Sequence, residues 1–182
     1  MQPESRSDNE LLALSRTRPE LFGEIYERHA AAIYRYLARR VGPAAADDLL
    51  GEVFAVAVAA RARVRPHLSG SVLPWLYGVA GNVTRAHLRC RSAPPIDGGA
   101  SVVDWDAVDA RVDASALAPR LRAALSMLTP AESELLLLMA WERLTPTEAA
   151  EALGLTPVAA RSRLHRARAR AQAALDQVAV DR

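Results

Sequence analysis

The stretch Thr145-Pro146-Thr147-Glu148-Ala149-Ala150-Glu151-Ala152-Leu153-Gly154-Leu155-Thr156-Pro157 decides the fold. Threonine before a helix accepts a hydrogen bond from a free backbone N–H. Proline suits the first helical position, because its missing donor had no partner there anyway. Glu148 lies three residues after Thr145, the capping-box spacing that marks a helix start a second time. Gly154 then stops the helix, and Thr156-Pro157 restarts one at once. A short helix, a tight glycine turn and a longer helix make a helix-turn-helix, whose second helix enters the DNA major groove.

The same punctuation occurs upstream. Thr129-Pro130 is followed by Glu132, again a capping box, and then by Leu135-Leu136-Leu137-Leu138. Helices are predicted over about 115–127, 130–141, 146–153 and 157–176. On a helical wheel with Leu164 at zero, Ala160, Ala167, Ala171 and Leu175 fall within about 60° and form the core face. Arg163, Arg166 and Arg170 fall at roughly 200–260°, with Ala159 and Ser162 beside them, and face outward. Arg161 and Arg168 sit at the edge of the buried face, where acids of the preceding helices could pair with them. Residues 157–175 carry five arginines and no acid. Arg163 and Arg166 are the first candidates for DNA contact, followed by Arg170 and His165. An arginine-rich solvated helix is the competing explanation, and the preceding helix-turn-helix weighs against it. The first turn, Pro157-Val158-Ala159-Ala160, offers few polar base readers. Selectivity from this helix should be modest, which asks for a second DNA contact or a large partner.

The 182 residues are enough for two small helical domains. Aromatics are few, and alanine and leucine fill the apolar positions, which favours helix over sheet. All 23 basic residues are arginine, a bias that a GC-rich genome explains. No apolar run reaches the roughly 18–20 residues of a membrane span. The polar residues 1–18 read as a flexible tail rather than a signal peptide, and the single cysteine, Cys90, suits a reducing cytoplasm. A helical face follows at Leu21, Phe22, Ile25, Ile33, Tyr34 and Leu37, continuous or broken near His29-Ala30, and Gly42-Pro43 ends it. A second helix is predicted from about Ala44 to Arg63, with Asp47, Asp48 and Glu52 near its start. After a loop at 66–74, a third runs from about Pro74 to Arg89. Residues 92–115 hold five aspartates against Arg111, together with Pro94-Pro95 and Gly98-Gly99, and read as a flexible acidic linker. The expected fold is all-α: a tail at 1–18, a domain at 19–91, the linker at 92–115 and a helix-turn-helix domain at 116–182.

These residues carry a resemblance that spans Leu21 to Leu175. Leu125-Ser126-Met127-Leu128-Thr129-Pro130-Ala131-Glu132, Thr147-Glu148-Ala149-Ala150-Glu151-Ala152-Leu153-Gly154 and Arg161-Ser162-Arg163-Leu164-His165-Arg166-Ala167-Arg168 are similar to the fourth conserved region of extracytoplasmic-function sigma factors. Asp47-Asp48-Leu49-Leu50-Gly51-Glu52-Val53-Phe54 resembles the family's helix that docks on the polymerase clamp. Pro74-Trp75-Leu76-Tyr77-Gly78-Val79-Ala80-Gly81-Asn82, with His87-Leu88-Arg89, resembles the segment that opens the minus-ten element. The sequence departs from the family pattern at Gly51, Gly81, Ala86 and Val158-Ala159.

The resemblance implies an RNA polymerase sigma factor. Asp48, Leu49 and Glu52 would meet the polymerase. Asn82, Arg85 and Arg89 would lie near the melted strand, and Ser162, Arg163, His165, Arg166 and Arg170 at the minus-thirty-five element. The loop from His67 to Leu73 would hold a flipped base, a capture that makes strand separation selective. Trp75 reads as core packing. The implied partners are core RNA polymerase, promoter DNA and an anti-sigma factor. Neither membrane insertion nor a cofactor is expected. The alternative is a two-domain helix-turn-helix regulator that binds duplex DNA on its own. An enzyme is disfavoured, because His29, His67, His87, His165 and Cys90 are dispersed without metal-ligand spacing and no phosphate loop is present.

Overall fold

The computed structural model describes residues 6–65, 67, 69–91 and 124–180, and its regular elements there are all helical. The expected linker lies outside the described residues.

The chain enters through α1, Asp8–Leu14, which corrects the expectation of a loose tail over 1–18. Ser7 and Glu10 form a capping box: the Ser7 N–H donates to Glu10 Oε2 at 2.7 Å, and the Glu10 N–H donates to Ser7 Oγ at 3.3 Å. Leu11 and Leu12 are then fully buried. The signal was present in the sequence as Ser7-x-x-Glu10 before a leucine pair.

A 3₁₀ turn at Pro19–Leu21 leads into α2, Phe22–Val41. Its buried residues Phe22, Ile25, Ile33, Tyr36, Leu37 and Arg40 follow helical spacing. The helix is unbroken at His29-Ala30, where the His29 ring meets Asp8 of α1 at 2.6 Å. Gly42, at φ 79°, ends α2 and precedes α3, Pro43–Ala60. Left-handed backbone favours glycine at this junction, and Pro43 opens α3 without losing a bonded donor. Ala46, Leu49, Val53, Phe54 and Ala57 form the core stripe of α3. The predicted end at Arg63 is a separate 3₁₀ turn, Arg61–Arg63. Helix α4, Leu73–Arg91, completes the first module with Leu76, Ala80 and Val83 inward.

The second module holds α5, Pro130–Ala140; α6, Pro146–Ala152; and α7, Pro157–Val180. Both anticipated capping boxes form, Thr129 with Glu132 and Thr145 with Glu148. After α6 the chain turns on Gly154, at φ 63°. The Leu155 N–H reaches the Ala150 carbonyl at 2.8 Å, closing the α6 C-terminus as a Schellman turn. Thr156 then caps α7 by accepting from the Ala159 N–H at 3.2 Å. This is the helix-turn-helix that the sequence announced.

The sequence reading held the two modules apart. In the structure they share one apolar cluster: Leu135, Leu138, Leu144, Ala149 and Ala152 pack with the core of α2, α3 and α4.

Candidate nucleic-acid interface

Helix α7 presents two faces. Ala160, Leu164, Ala167 and Ala174 are buried, whereas Ser162, His165, Arg166 and Arg170 are exposed and Arg163 is half-buried. Arg166 donates to Ser162 Oγ at 2.9 Å, so the two lie together on the outer face. Arg170 is engaged differently: its guanidinium donates to Glu132 Oε2 at 2.7 Å. That carboxylate also takes the Thr129 N–H at 3.0 Å. Arg170 therefore braces α7 against the start of α5 while half its side chain stays in solvent. Burial would push the Glu132 carboxyl up, but the Thr129 N–H and hydroxyl and the Arg170 charge hold it below the usual range. Arg161 and Arg168, expected at the edge of the core, are both exposed.

On α4, Asn82 and Arg89 are exposed and Arg85 is half-buried. Arg85 donates to the Asn82 side-chain oxygen, which places the pair on one outward patch. Trp75 is half-buried against the core. The segment before α4 is anchored from below by α1. Asn9 donates to the His67 carbonyl at 2.8 Å and accepts from the His67 N–H at 3.2 Å. The Asp8 carboxylate accepts from the Val72 N–H at 3.2 Å and from Ser71 Oγ at 3.3 Å. Burial would raise the Asp8 pKa, but His29, the Val72 N–H and Arg28 together lower it. This role of α1 depends on contacts 58 to 64 positions away in sequence, which the polar pattern of residues 1–18 does not announce.

On α3, Asp48 and Glu52 are exposed one helical turn apart, and Asp47 flanks them. Leu49 is 5% exposed and belongs to the core, so it holds α3 in place instead of facing a partner. Its position on the apolar stripe with Val53 and Ala57 already indicated that.

The comparisons with known proteins follow this division. Residues 25–93 match the family model Sigma-70 region 2, and residues 119–170 match Sigma-70, region 4. RNA polymerase sigma factor CarQ of Myxococcus xanthus is 33% identical over 152 residues, which cover 81% of this chain and 84% of that protein. The solved structure of CnrH in complex with the cytosolic domain of CnrY is similar with a TM-score of 0.63 and 25% identity, over 93% of this chain and 97% of that one. The sigma factor RpoE of Bartonella quintana, solved with the anti-sigma factor NepR, shares the fold at a TM-score of 0.53 and 18% identity, over 85% of this chain and 96% of that one. The chain belongs to the sigma-70 family, among its extracytoplasmic-function sigma factors.

Proposed function

We propose that this chain is the promoter-specificity subunit of a bacterial RNA polymerase: it binds the core enzyme, reads promoter elements and assists strand opening. The observation that carries this reading is the pairing of a capped helix-turn-helix with a first module that matches region 2. A simple duplex-binding regulator has no use for that first module.

The acids Asp48 and Glu52 give α3 a negative edge suited to a basic polymerase surface. Ser162, Arg163, His165 and Arg166 form the face of α7 offered to the minus-thirty-five element. Arg163 and Arg166 supply charge for phosphates or guanine edges, and Ser162 orients Arg166. Asn82, Arg85 and Arg89 line the outer side of α4, where a single strand would run. The chain contributes binding and positioning, and the polymerase performs the chemistry.

Among the described residues no helix is long and apolar enough to cross a membrane, and the proposed place of work is the cytoplasm with the polymerase. RpoE of Bartonella quintana, which shares the fold, was solved with the anti-sigma factor NepR, and CnrH with the cytosolic domain of CnrY; an anti-sigma partner is proposed for this chain too.

Run-off transcription with purified core polymerase tests the assignment. A defined start site that depends on added chain is expected. The same transcripts with and without the chain would refute it.

A further inference from the structure

The segment that leads from α3 into α4 is held from α1 at successive points. Arg16, just past the end of α1, donates to the Val64 carbonyl at 3.0 Å. The Asn9 amide takes both backbone groups of His67, at 2.8 and 3.2 Å. Asp8 Oδ2 accepts from the Ser71 hydroxyl at 3.3 Å and from the Val72 N–H at 3.2 Å. Val72 directly precedes α4, so that last bond occupies a backbone donor at the helix entry.

Helix α1 is itself fixed by α2. Arg28 donates to the Arg6 carbonyl at 2.7 Å and to Asp8 Oδ1 at 3.0 Å. His29 Nε2 lies 2.6 Å from Asp8 Oδ2. The Asp8 carboxylate thus takes cationic and imidazole groups of α2 on one side and a backbone N–H of the segment on the other. Charge-assisted bonds of this kind are short and directional, so α2, α1 and the segment form one continuous brace.

We propose that Asp8 and Asn9 are positioning residues for promoter opening: they hold the path from His67 to Val72 in the shape that meets the displaced strand, and so set base preference at the minus-ten element. The inference rests on the sigma-factor reading above, which it deepens.

Three features support it. The first is the composition of the segment. Ser69-Gly70-Ser71 has no large side chain to pack, and sequences of this kind are flexible by themselves. Gly70 stands at φ 77°. The order of the segment is therefore supplied from outside it. The second is the division of labour along α1. Leu11 and Leu12 are fully buried and seal the core, whereas Asp8 and Asn9 spend their polar atoms on the segment. Asn9 bonds the backbone of His67, and a backbone contact fixes the path of the chain whatever side chain sits there. The third is placement. Ser69 is exposed on the segment, and α4, which follows, carries Asn82, Arg85 and Arg89 on its outer side. A binding loop ordered before its ligand arrives does not lose conformational freedom on binding, and a fixed shape discriminates between bases more sharply than a yielding one.

Two variants that cut the brace, and one that loosens α1 elsewhere, test the assignment. Asn9→Ala removes both bonds to His67, and Asp8→Ala removes those to Ser71 and Val72. Ser7→Ala uncaps α1 and touches no described residue of the segment, so it reports the effect of a weakened helix alone. Each chain, bound to core RNA polymerase, transcribes a promoter library randomised across the minus-ten and minus-thirty-five elements, and the sequenced transcripts give the base preference at every position. Asn9→Ala and Asp8→Ala are expected to lower the strongest minus-ten preference about fivefold or more, with core affinity within about twofold of wild type and minus-thirty-five preferences unchanged. Ser7→Ala is expected to lower the melting temperature and keep the minus-ten preference. Asn9 is half-buried and uncharged, so Asn9→Ala decides the matter if Asp8→Ala fails to fold. An unchanged minus-ten preference in Asn9→Ala would overturn the assignment. A parallel loss of core affinity and of preference at both elements, the mark of a residue that only supports the fold, would overturn it too. So would an equal loss of minus-ten preference in Ser7→Ala. Failure of the wild type to initiate with core enzyme would instead remove the sigma-factor reading itself.

Discussion

Arg40 and Glu134, 94 positions apart in sequence, meet at 3.0 Å with the arginine fully buried and the glutamate side chain 4% exposed. Burial alone would weaken the guanidinium's hold on its proton. Tyr36 and Glu134 outweigh that effect, so Arg40 stays charged. Its guanidinium carbon lies 3.5 Å from the centre of the Tyr36 ring, a cation–π contact within the same group.

Removing one partner of this pair should be far worse than removing both. Glu134→Ala leaves a buried cation and should cost up to about 3–5 kcal/mol of interface stability. Arg40→Met with Glu134→Met should restore or exceed the wild-type level. Urea denaturation of the wild type, Glu134→Ala and the Met/Met double variant measures this. Equal stability for Glu134→Ala and the wild type would mean that the pair carries no weight.

Changing Arg163 and Arg166 together to alanine should weaken promoter binding by the assembled polymerase and leave core binding intact. If each neutralises one phosphate, the slope of log affinity against log salt should fall by about 2. Filter binding over a salt series reads it. A lost affinity for core would move these arginines to a folding role.

Glu52→Arg should have the opposite profile. The residue is exposed on α3 beside Asp48, so reversing its charge disturbs no packing, and core binding should weaken at least tenfold. Surface plasmon resonance against immobilised core, with circular dichroism as a folding control, decides it. Unchanged affinity would remove the acidic edge from the polymerase interface.

Much of this was legible before any coordinates. The Thr-Pro-x-Glu starts and Gly154 fixed α5, α6 and the turn, because capping and left-handed backbone are local matters. The outward set on α7 followed from 3.6-residue periodicity. What the sequence hid was long-range. Arg170 read as a free cation, yet it reaches Glu132, 38 positions earlier. Gly78 was an unremarked helical glycine, and its reason is a backbone contributed by the other module. Tyr36, Arg39 and Arg40 lie on the helix that Gly42-Pro43 ends, outside the apolar set Ile33, Tyr34 and Leu37 that marks its face in the sequence pattern. Nothing local tells that Glu134 and Glu142 cover them.

Acid should destabilise the fold from both ends of the chain. Asp8, Glu132 and Glu148 all titrate below their ordinary values of 3.8, 4.5 and 4.5. Burial opposes this in each case, and hydrogen bonds from Val72, Thr129 and Thr145, with nearby cations, overcome it. A carboxyl group more acidic when folded than when unfolded adds stability that is complete above the unfolded value. That stability disappears as pH falls through the folded value. Thermal melts should therefore be flat above about pH 5 and fall steadily below about pH 4. Glu148→Gln should flatten that fall. Thr145→Ala, which also uncaps α6, should cost about 1 kcal/mol at neutral pH. A melting temperature independent of pH down to about 3 would contradict the assignment of these carboxylates.

The most direct measurement is a side-by-side titration of a promoter duplex with the chain alone and with the chain plus core RNA polymerase. Binding to duplex and a defined transcript should appear only when both proteins are present. Tight duplex binding by the chain alone, with no effect of core enzyme, would identify a conventional regulator and contradict the account.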